Sequence, residues 1–471
     1  MGEVRKVRDP VHGFVSLNQK EAEVLGTRIL QRLRGIRQLA LASLVYPGAV
    51  HTRFDHSLGV CHIAHLMAEA LRLSEDERRL VGLAALLHDV GHGPFSHVSE
   101  AALELFAGAG RLHDRGTGLR QVHELIATEI IRADPELCRL MGPTECDKVA
   151  KLLLGGYGEP VCRAVVSGPL DADKQDYLLR DSHFCGVKYG VFDVEQLQRE
   201  LCTLEDPESG GKQLAISSDG IHALEQFVLA KYYLTTQVYR HKVRLITDQM
   251  LIRAIRLGIE VDEIQELHDL YTYDRSPDFL ANYTRWDDAR FLLTFGDDKL
   301  RGTQCHGVLR RLVERRLLKQ VYRARLDELP AESRDGLSRI SEPSRKGPRD
   351  AAERAVLERM KTIAAEALEP DQPQLVIVHA YTIKSVREAS AGDEGPILVQ
   401  QRSGPPTTFH DESALFRSIT EGMSEEFIEV YAPVRYGTDH EMRGLLKKLF
   451  EPISEALTTL YQPEGAKDGN T

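Results

Sequence analysis

Apolar residues recur at helical spacing from early in the chain. Leu25, Ile29, Leu30, Leu33, Ile36 and Leu39 share one face of a run over residues 18–46, which Pro47-Gly48 closes. A second run follows His56 through Ile63, Leu66, Met67 and Leu71. Ser74 then opens a capping box with Glu77, and residues 75–89 carry Leu80, Leu83, Ala84, Leu86 and Leu87 as an apolar stripe. That helix must stop by Gly91, because Gly91-His92-Gly93-Pro94 cannot continue it. Similar spacing predicts helices at 121–133, 172–184, 192–202, 220–240 and 245–259.

Strand patterns are sparse in the first two-thirds, the best being a hairpin around Gln213–Ser217 entered through Glu208-Ser209-Gly210-Gly211. Residues 329–352 are rich in Ser, Arg, Gly and Pro and poor in apolar positions, the pattern of a flexible linker or insertion. Beyond them, 374–381, 397–401 and 427–434 read as strands and 411–421 and 440–460 as helices. The expectation is a mainly α protein: a helical body over 1–328, the linker, a small α+β subdomain over 353–462 and a disordered tail over 463–471.

Composition changes this picture little. A 471-residue chain with 42% hydrophobic and 28% charged residues is that of an ordinary globular protein larger than one core. The first residues do not form a signal peptide and no apolar run is long enough to span a bilayer, so a cytoplasmic protein without membrane contact is expected. Seven scattered cysteines without a C-x-x-C pair argue against disulfides and a structural zinc site. The net charge of −11 disfavours nucleic acid as main ligand, but a few local cations suffice for a small anion.

Three polar stretches stand out: His51 to Gly59, Leu86 to His97, and Asp171 to Asp181. In the second, a strongly apolar helix delivers His88 and Asp89 at its C-terminal end, where the helix dipole disfavours a carboxylate. Either a basic side chain or a metal ion must compensate. His92 and His97 follow within two turns, and His56 and Asp173 offer donors from other helices. Two imidazoles and two carboxylates suit manganese, iron, cobalt or nickel, and are less typical of zinc. For a His-Asp pair alone, a capped helix end would be the simpler explanation; its company reverses that reading.

Together these stretches resemble the HD-domain dNTP triphosphohydrolase family, as seen in the animal enzymes that join a sterile-alpha-motif to an HD domain and in bacterial dGTPase-like relatives. The likeness begins at Val7-Arg-Asp9-Pro10-Val-His12-Gly13, passes through Gln31 to Leu39 and ends near Tyr239 to Val243. No sterile-alpha-motif domain is expected before it. The resemblance implies that His56, His88, Asp89 and Asp173 bind a divalent metal, magnesium included, within a catalytic domain over 1–328. It assigns phosphate contacts to Arg53, Lys174 and Tyr177, and places His92, His97 and His123 around the α-phosphate. His97 would be the general acid, with Glu100 as its carboxylate partner. Gln38, Leu39 and Asp181 would form the sugar floor, and Tyr239 would crowd a ribose 2′-position. The implied reaction is attack of a metal-activated water on the α-phosphorus, giving nucleoside and inorganic triphosphate. A homo-oligomer, dimer or tetramer, is the family expectation.

The chain departs from this family in places. Lys231 stands where the animal enzymes place a γ-phosphate-binding Arg, keeping the charge but losing the fork. Gly26 and Arg8 replace a guanine-reading Asp and its neighbouring Asn, so Gln31 and Arg34 read as structural and any effector nucleotide stays open. His113-Asp114 reads as a surface loop, His62 and His65 as packing or surface residues, and the Arg310–Lys319 run as a solvated helix face. Asp55 and Asp176 are candidates to orient ligating histidines. The competing readings are an HD phosphodiesterase or nuclease, and a nucleotide-binding sensor without turnover.

Overall fold

The computed structural model describes residues 5–107, 121–206, 210–341, 346–369, 373–384, 395–418 and 424–460, plus the backbone of the short pair His113–Asp114 and Gly118–Leu119. The fold is mainly α, as the periodicity predicts, and the chain separates into two compact units.

The first unit comprises residues 1–240, 268–294 and 385–422. It opens with an antiparallel hairpin that the sequence pattern did not reveal, β1 (Arg5–Asp9) and β2 (Gly13–Leu17), with Asp9 opposite Gly13. Two five-residue strands joined through a proline leave too little alternation to see. The expected helix over 18–46 is broken. Helices Gln19–Leu25 and Arg28–Arg32 are followed only by single tight turns at 33–35 and 42–44. Gly26 caps the first helix and Thr27 starts the second, while Ala40 takes a positive φ of 47° that interrupts any continuation.

Helix α1 (Arg53–Ala70) begins with a capping box between Thr52 and Asp55. Asp55 therefore serves the helix start, not a ligating histidine as its sequence context suggested. Helix α2 (Glu75–Leu87) opens on the expected Ser74/Glu77 box and packs Val81, Leu83, Ala84, Leu86 and Leu87 into the core. Of the helices that follow, α3 (His97–Phe106), α4 (Val122–Ala133) and α5 (Ala172–Cys185) position the site, and Asp171 caps α5 while Gly186 terminates it in the left-handed region. Helix α6 (Ile221–Leu234) runs into one π-type turn at Thr235–Tyr239.

The turn after α2 is held from several sides. Arg32 donates to the carbonyls of Val90 and His92, Tyr283 donates to that of Gly91, and Asp288 accepts from the backbone N–H of Phe95. These bonds offset the cost of consecutive positive φ angles at Phe95 and Ser96. The expected hairpin exists as Leu201–Glu205 paired with Lys212–Ser217. Leu398–Gln400 joins it in parallel, so this strand belongs to the first unit and not to a C-terminal subdomain.

The second unit comprises residues 241–267, 295–384 and 423–471, and so takes in segments that the pattern along the chain grouped with the helical body. Its sheet places Glu425–Ala432 between Lys319–Arg325 and Ile377–Ile383, all antiparallel. Val378, Ala380, Ile428 and Val430 pack against Val356 and Met360 of helix Lys346–Ala364 and Leu449 and Ile453 of helix Asp439–Thr459. The segment expected as a linker is helical over Ala331–Ser338 and again from Lys346, because Leu337 and Ile340 bury themselves among its polar residues. The tail beyond 462, part of the 411–421 helix and the side chains of His113-Asp114 lie outside the described residues. Among the described residues, no helix is long and apolar enough to cross a membrane.

Gly91 sits where the turn meets α4: an added Cβ would overlap the His123 carbonyl oxygen and lie 2.5 Å from Ala127 N. Both obstacles are backbone, so Gly91→Ala is expected to lower stability by about 1–3 kcal/mol, read as a reduced urea midpoint with unchanged slope.

Candidate metal centre

Three helices converge on one buried point. The second turn of α1 carries His56, the C-terminal end of α2 carries His88 and Asp89, and the first turn of α5 carries Asp173. His56 Nε2 lies 2.9 Å from Asp173 Oδ1 and 3.8 Å from Asp89 Oδ2, while His88 Nε2 lies 3.3 Å from Asp89 Oδ1 and 3.9 Å from Asp173 Oδ1. His56, His88 and Asp173 each offer a ligand atom within one small space. His56 and Asp89 are buried, whereas the Asp173 side chain is about a third exposed, which leaves the point open on one side.

The two ring nitrogens that face this point, His56 Nε2 and His88 Nε2, are buried and make no hydrogen bond. Each ring is fixed through its other nitrogen: His88 Nδ1 donates to the Ala85 carbonyl at 2.7 Å and His56 Nδ1 to Asp176 Oδ2 at 2.8 Å. Neutral imidazoles oriented in this way present Nε2 lone pairs to a shared cation. Buried unsatisfied nitrogens beside paired carboxylates are costly otherwise, so the donor set fits a divalent metal.

The electrostatics of the cluster agree. Burial alone would lower the His56 value, but Asp173 and Asp176 outweigh it and raise it to about 10. Burial would raise Asp173, yet His56 and His88 hold it at about 2. Asp89 is likewise pushed up by burial and kept well below the usual range by Arg53, His88 and His92. The cluster demands compensating positive charge, which Arg53 supplies in part: its Nη1 meets Asp89 Oδ2 at 2.8 Å and its Nε meets Ser96 Oγ at 3.0 Å. Arg53 Nη2 is buried with no partner.

A row of imidazoles lies beside the ligands. His92 Nε2 is 3.3 Å from Asp89 Oδ1, its ring stacks on that of His123 at 3.8 Å, and His97 stands edge-on to it at 5.7 Å. Burial, with Arg53 and His123 nearby, holds His92 neutral; His123 is pushed down by burial but raised overall by Glu100. Glu100, expected as the partner of His97, accepts from the backbone of Val122 and His123 and from His123 Nδ1 at 2.8 Å. His97 itself is exposed and still feels the Glu100 charge.

The other expected residues fall into two groups. Asp181 accepts from His51 Nε2 at 2.8 Å and from Tyr239 at 2.6 Å, and Gln38 donates its backbone N–H to the His51 carbonyl. The Gln38 side-chain oxygen is buried without a partner, and Leu39 is buried. Tyr177 stands edge-on to Tyr239, with ring centres 6.2 Å apart. Lys174 is engaged locally with Asp171 Oδ2 at 2.6 Å and the Gly168 carbonyl, and Lys231 lies in the last turn of α6. Gln31 bonds Leu25 and Arg34, a structural role. His65 pairs with buried Glu21 at 2.9 Å. Sequence reasoning assigned no role to Asp9, His12, His51 or Arg180, all drawn into this region. The i, i+4 spacing of Asp176 and Arg180 was a readable signal for one of them.

Residues 53–155 match the HD domain family, and residues 192–376 match the HD associated region. The chain is 31% identical over 346 residues to the uncharacterized protein YwfO of Bacillus subtilis, covering 68% of this chain and 72% of that one. It is 27% identical over 354 residues to the human deoxynucleoside triphosphate triphosphohydrolase SAMHD1, covering 68% of this chain but 55% of that enzyme. Similarly, it spans about half the length of the SAMHD1 homolog from Dictyostelium discoideum, at 29% identity. A crystal structure of a phosphohydrolase from Bacteroides thetaiotaomicron shares the fold, with a TM-score of 0.69 over 91% of this chain and all of that one at 23% identity.

Removing a donor should remove the cation. His88→Ala and Asp89→Ala are expected to bring bound metal, measured by elemental analysis after dialysis against micromolar Mn²⁺, from near one equivalent to near none. A variant that keeps its metal would exclude that residue as a ligand.

Proposed function

Because the chain belongs to the HD-domain family of phosphohydrolases, we propose that it hydrolyses deoxynucleoside triphosphates to nucleoside and inorganic triphosphate. The observation that carries this reading is the pair of unpartnered nitrogens of His56 and His88 facing Asp173, beside a histidine row and the free nitrogen of Arg53. Its relatives named as deoxynucleoside triphosphate triphosphohydrolases support the substrate class.

In this reading His56, His88, Asp89 and Asp173 hold a divalent ion, which when bound acts as a Lewis acid and lowers the pKa of water. Arg53 keeps Asp89 ionised with one nitrogen and offers Nη2 to a phosphate oxygen. Neutral His92 hydrogen-bonds an α-phosphate oxygen, and His123, whose protonated form Glu100 favours, offsets charge developing there. His97, exposed at the start of α3, gives a proton to the departing 5′-oxygen. Lys174, Tyr177 and Lys231 hold the outer phosphates, for which Lys174 must share or leave its bond to Asp171. Asp181, fixed by His51 and Tyr239, and Gln38 with Leu39 form the floor under the deoxyribose, where the Tyr239 ring excludes a 2′-hydroxyl.

The test is a panel of the four dNTPs with Mn²⁺ or Mg²⁺, resolved by chromatography. Nucleoside plus triphosphate is expected, and His97→Ala should lower kcat by about 10²–10⁴-fold with little change in KM. Mono- or diphosphate products would favour the phosphodiesterase or nuclease reading. Binding without product under every metal would favour a sensor.

A further inference from the structure

The ligand His56 is held from behind by a closed, buried network that reaches the first strand of the chain. Asp176 accepts four hydrogen bonds on its two oxygens. His56 Nδ1 and Arg180 Nε reach Oδ2 at 2.8 Å each, and His12 Nε2 and Arg180 Nη2 reach Oδ1 at 2.6 and 3.0 Å. The remaining guanidinium nitrogen, Arg180 Nη1, donates to Asp9 Oδ2 at 2.9 Å. Asp9 Oδ1 in turn accepts the backbone N–H of Val11 and of His12, each at 2.8 Å, and so fixes the β1–β2 turn that carries the His12 ring. The side chains of Asp9, Asp176 and Arg180 are buried and that of His12 is nearly so.

Room for the network is reserved on α1. Gly59 lies one turn beyond His56, and a Cβ there would overlap Asp176 Oδ1 and Arg180 Nη2. A helix that places a glycine against a carboxylate–guanidinium fork allows that fork to reach His56 at hydrogen-bonding distance.

We propose that Asp9, His12, Asp176 and Arg180 form a positioning network for the metal site, in which the N-terminal hairpin holds Asp176 so that His56 keeps its proton on Nδ1 and turns its Nε2 lone pair to the cation. A carboxylate saturated by four donors cannot rotate, and the ring bound to it loses both its alternative tautomer and its freedom about χ2. His12 lies 164 positions along the chain from Asp176 and reaches the site through it. The inference takes His56 as a metal ligand and is independent of the substrate.

The test is Co²⁺ and Mn²⁺ binding by calorimetry to the full chain, with the visible absorption of bound Co²⁺ as a reporter of ligand geometry. Asp176→Asn keeps the shape but cannot satisfy four donors. It is expected to weaken Co²⁺ by about 10–100-fold and to shift or bleach the visible band. His12→Gln, Asp9→Asn and Gly59→Ala should act in the same direction. His65→Gln, on the same helix but paired with Glu21, controls for loss of stability and should leave affinity and spectrum unchanged. If Asp176→Asn does not fold, His12→Gln and Asp9→Asn read the same network from its far end. Folded His12→Gln and Asp9→Asn proteins with wild-type affinity and spectrum would overturn the proposal, as would an equal loss in His65→Gln. Co²⁺ affinity that survives His56→Ala would overturn the ligand assignment and this inference with it.

Discussion

Carboxylates and imidazoles can be buried side by side only if each charge meets a partner, since an uncompensated ion in the interior costs several kcal/mol. The first unit is organised around that constraint. Asp89 stands just beyond the end of α2, against the negative end of the helix dipole, and Asp173 and Asp176 follow within one turn of α5. Arg53 answers Asp89 and Arg180 answers Asp176, whereas among the described residues it is the two histidines themselves that pair with Asp173. The remaining positive charge is what a divalent cation brings, and the unpartnered nitrogens of His56 and His88 mark where it belongs.

The rest of the unit serves to make this arrangement rigid. Arg32, Tyr283 and Asp288 hold the carbonyls and N–H groups of the turn between Asp89 and His97, in which two residues adopt positive φ. Gly91 lets α4 approach closely enough for His123 to stack on His92. The hairpin β1–β2 closes the far side through His12 and Asp9. Segments remote in sequence thus act on the same few atoms, the condition under which a site keeps its geometry without spending substrate binding to create it.

Much of this was legible from local chemistry. The Ser74/Glu77 capping box, the Gly-x-Gly stop after His88-Asp89 and the apolar stripe gave α2, which presents two of the ligands, because those signals act within a few residues. Pairing partners were less visible. Asp55 adjoins His56 in the sequence, whereas Asp176 has no histidine beside it. One caps its own helix, and the other reaches His56 across 120 positions. Glu100 lies one turn from His97 yet bonds His123, a choice made by the packing of α4. The strand at 398–400 pairs with Lys212–Ser217, and nothing local to three residues could specify that. Likewise, the Ser- and Arg-rich stretch around 331–341 is ordered by two apolar anchors, Leu337 and Ile340, too few to register as a pattern.

The central claim is that water attacks the α-phosphorus of a nucleotide held beside this metal centre. The most direct measurement is turnover of one dNTP in oxygen-18 water, with the products separated and the label located by mass spectrometry. The account predicts label in the released triphosphate and none in the nucleoside. Label in a nucleoside monophosphate or diphosphate, or in the nucleoside itself, would contradict it.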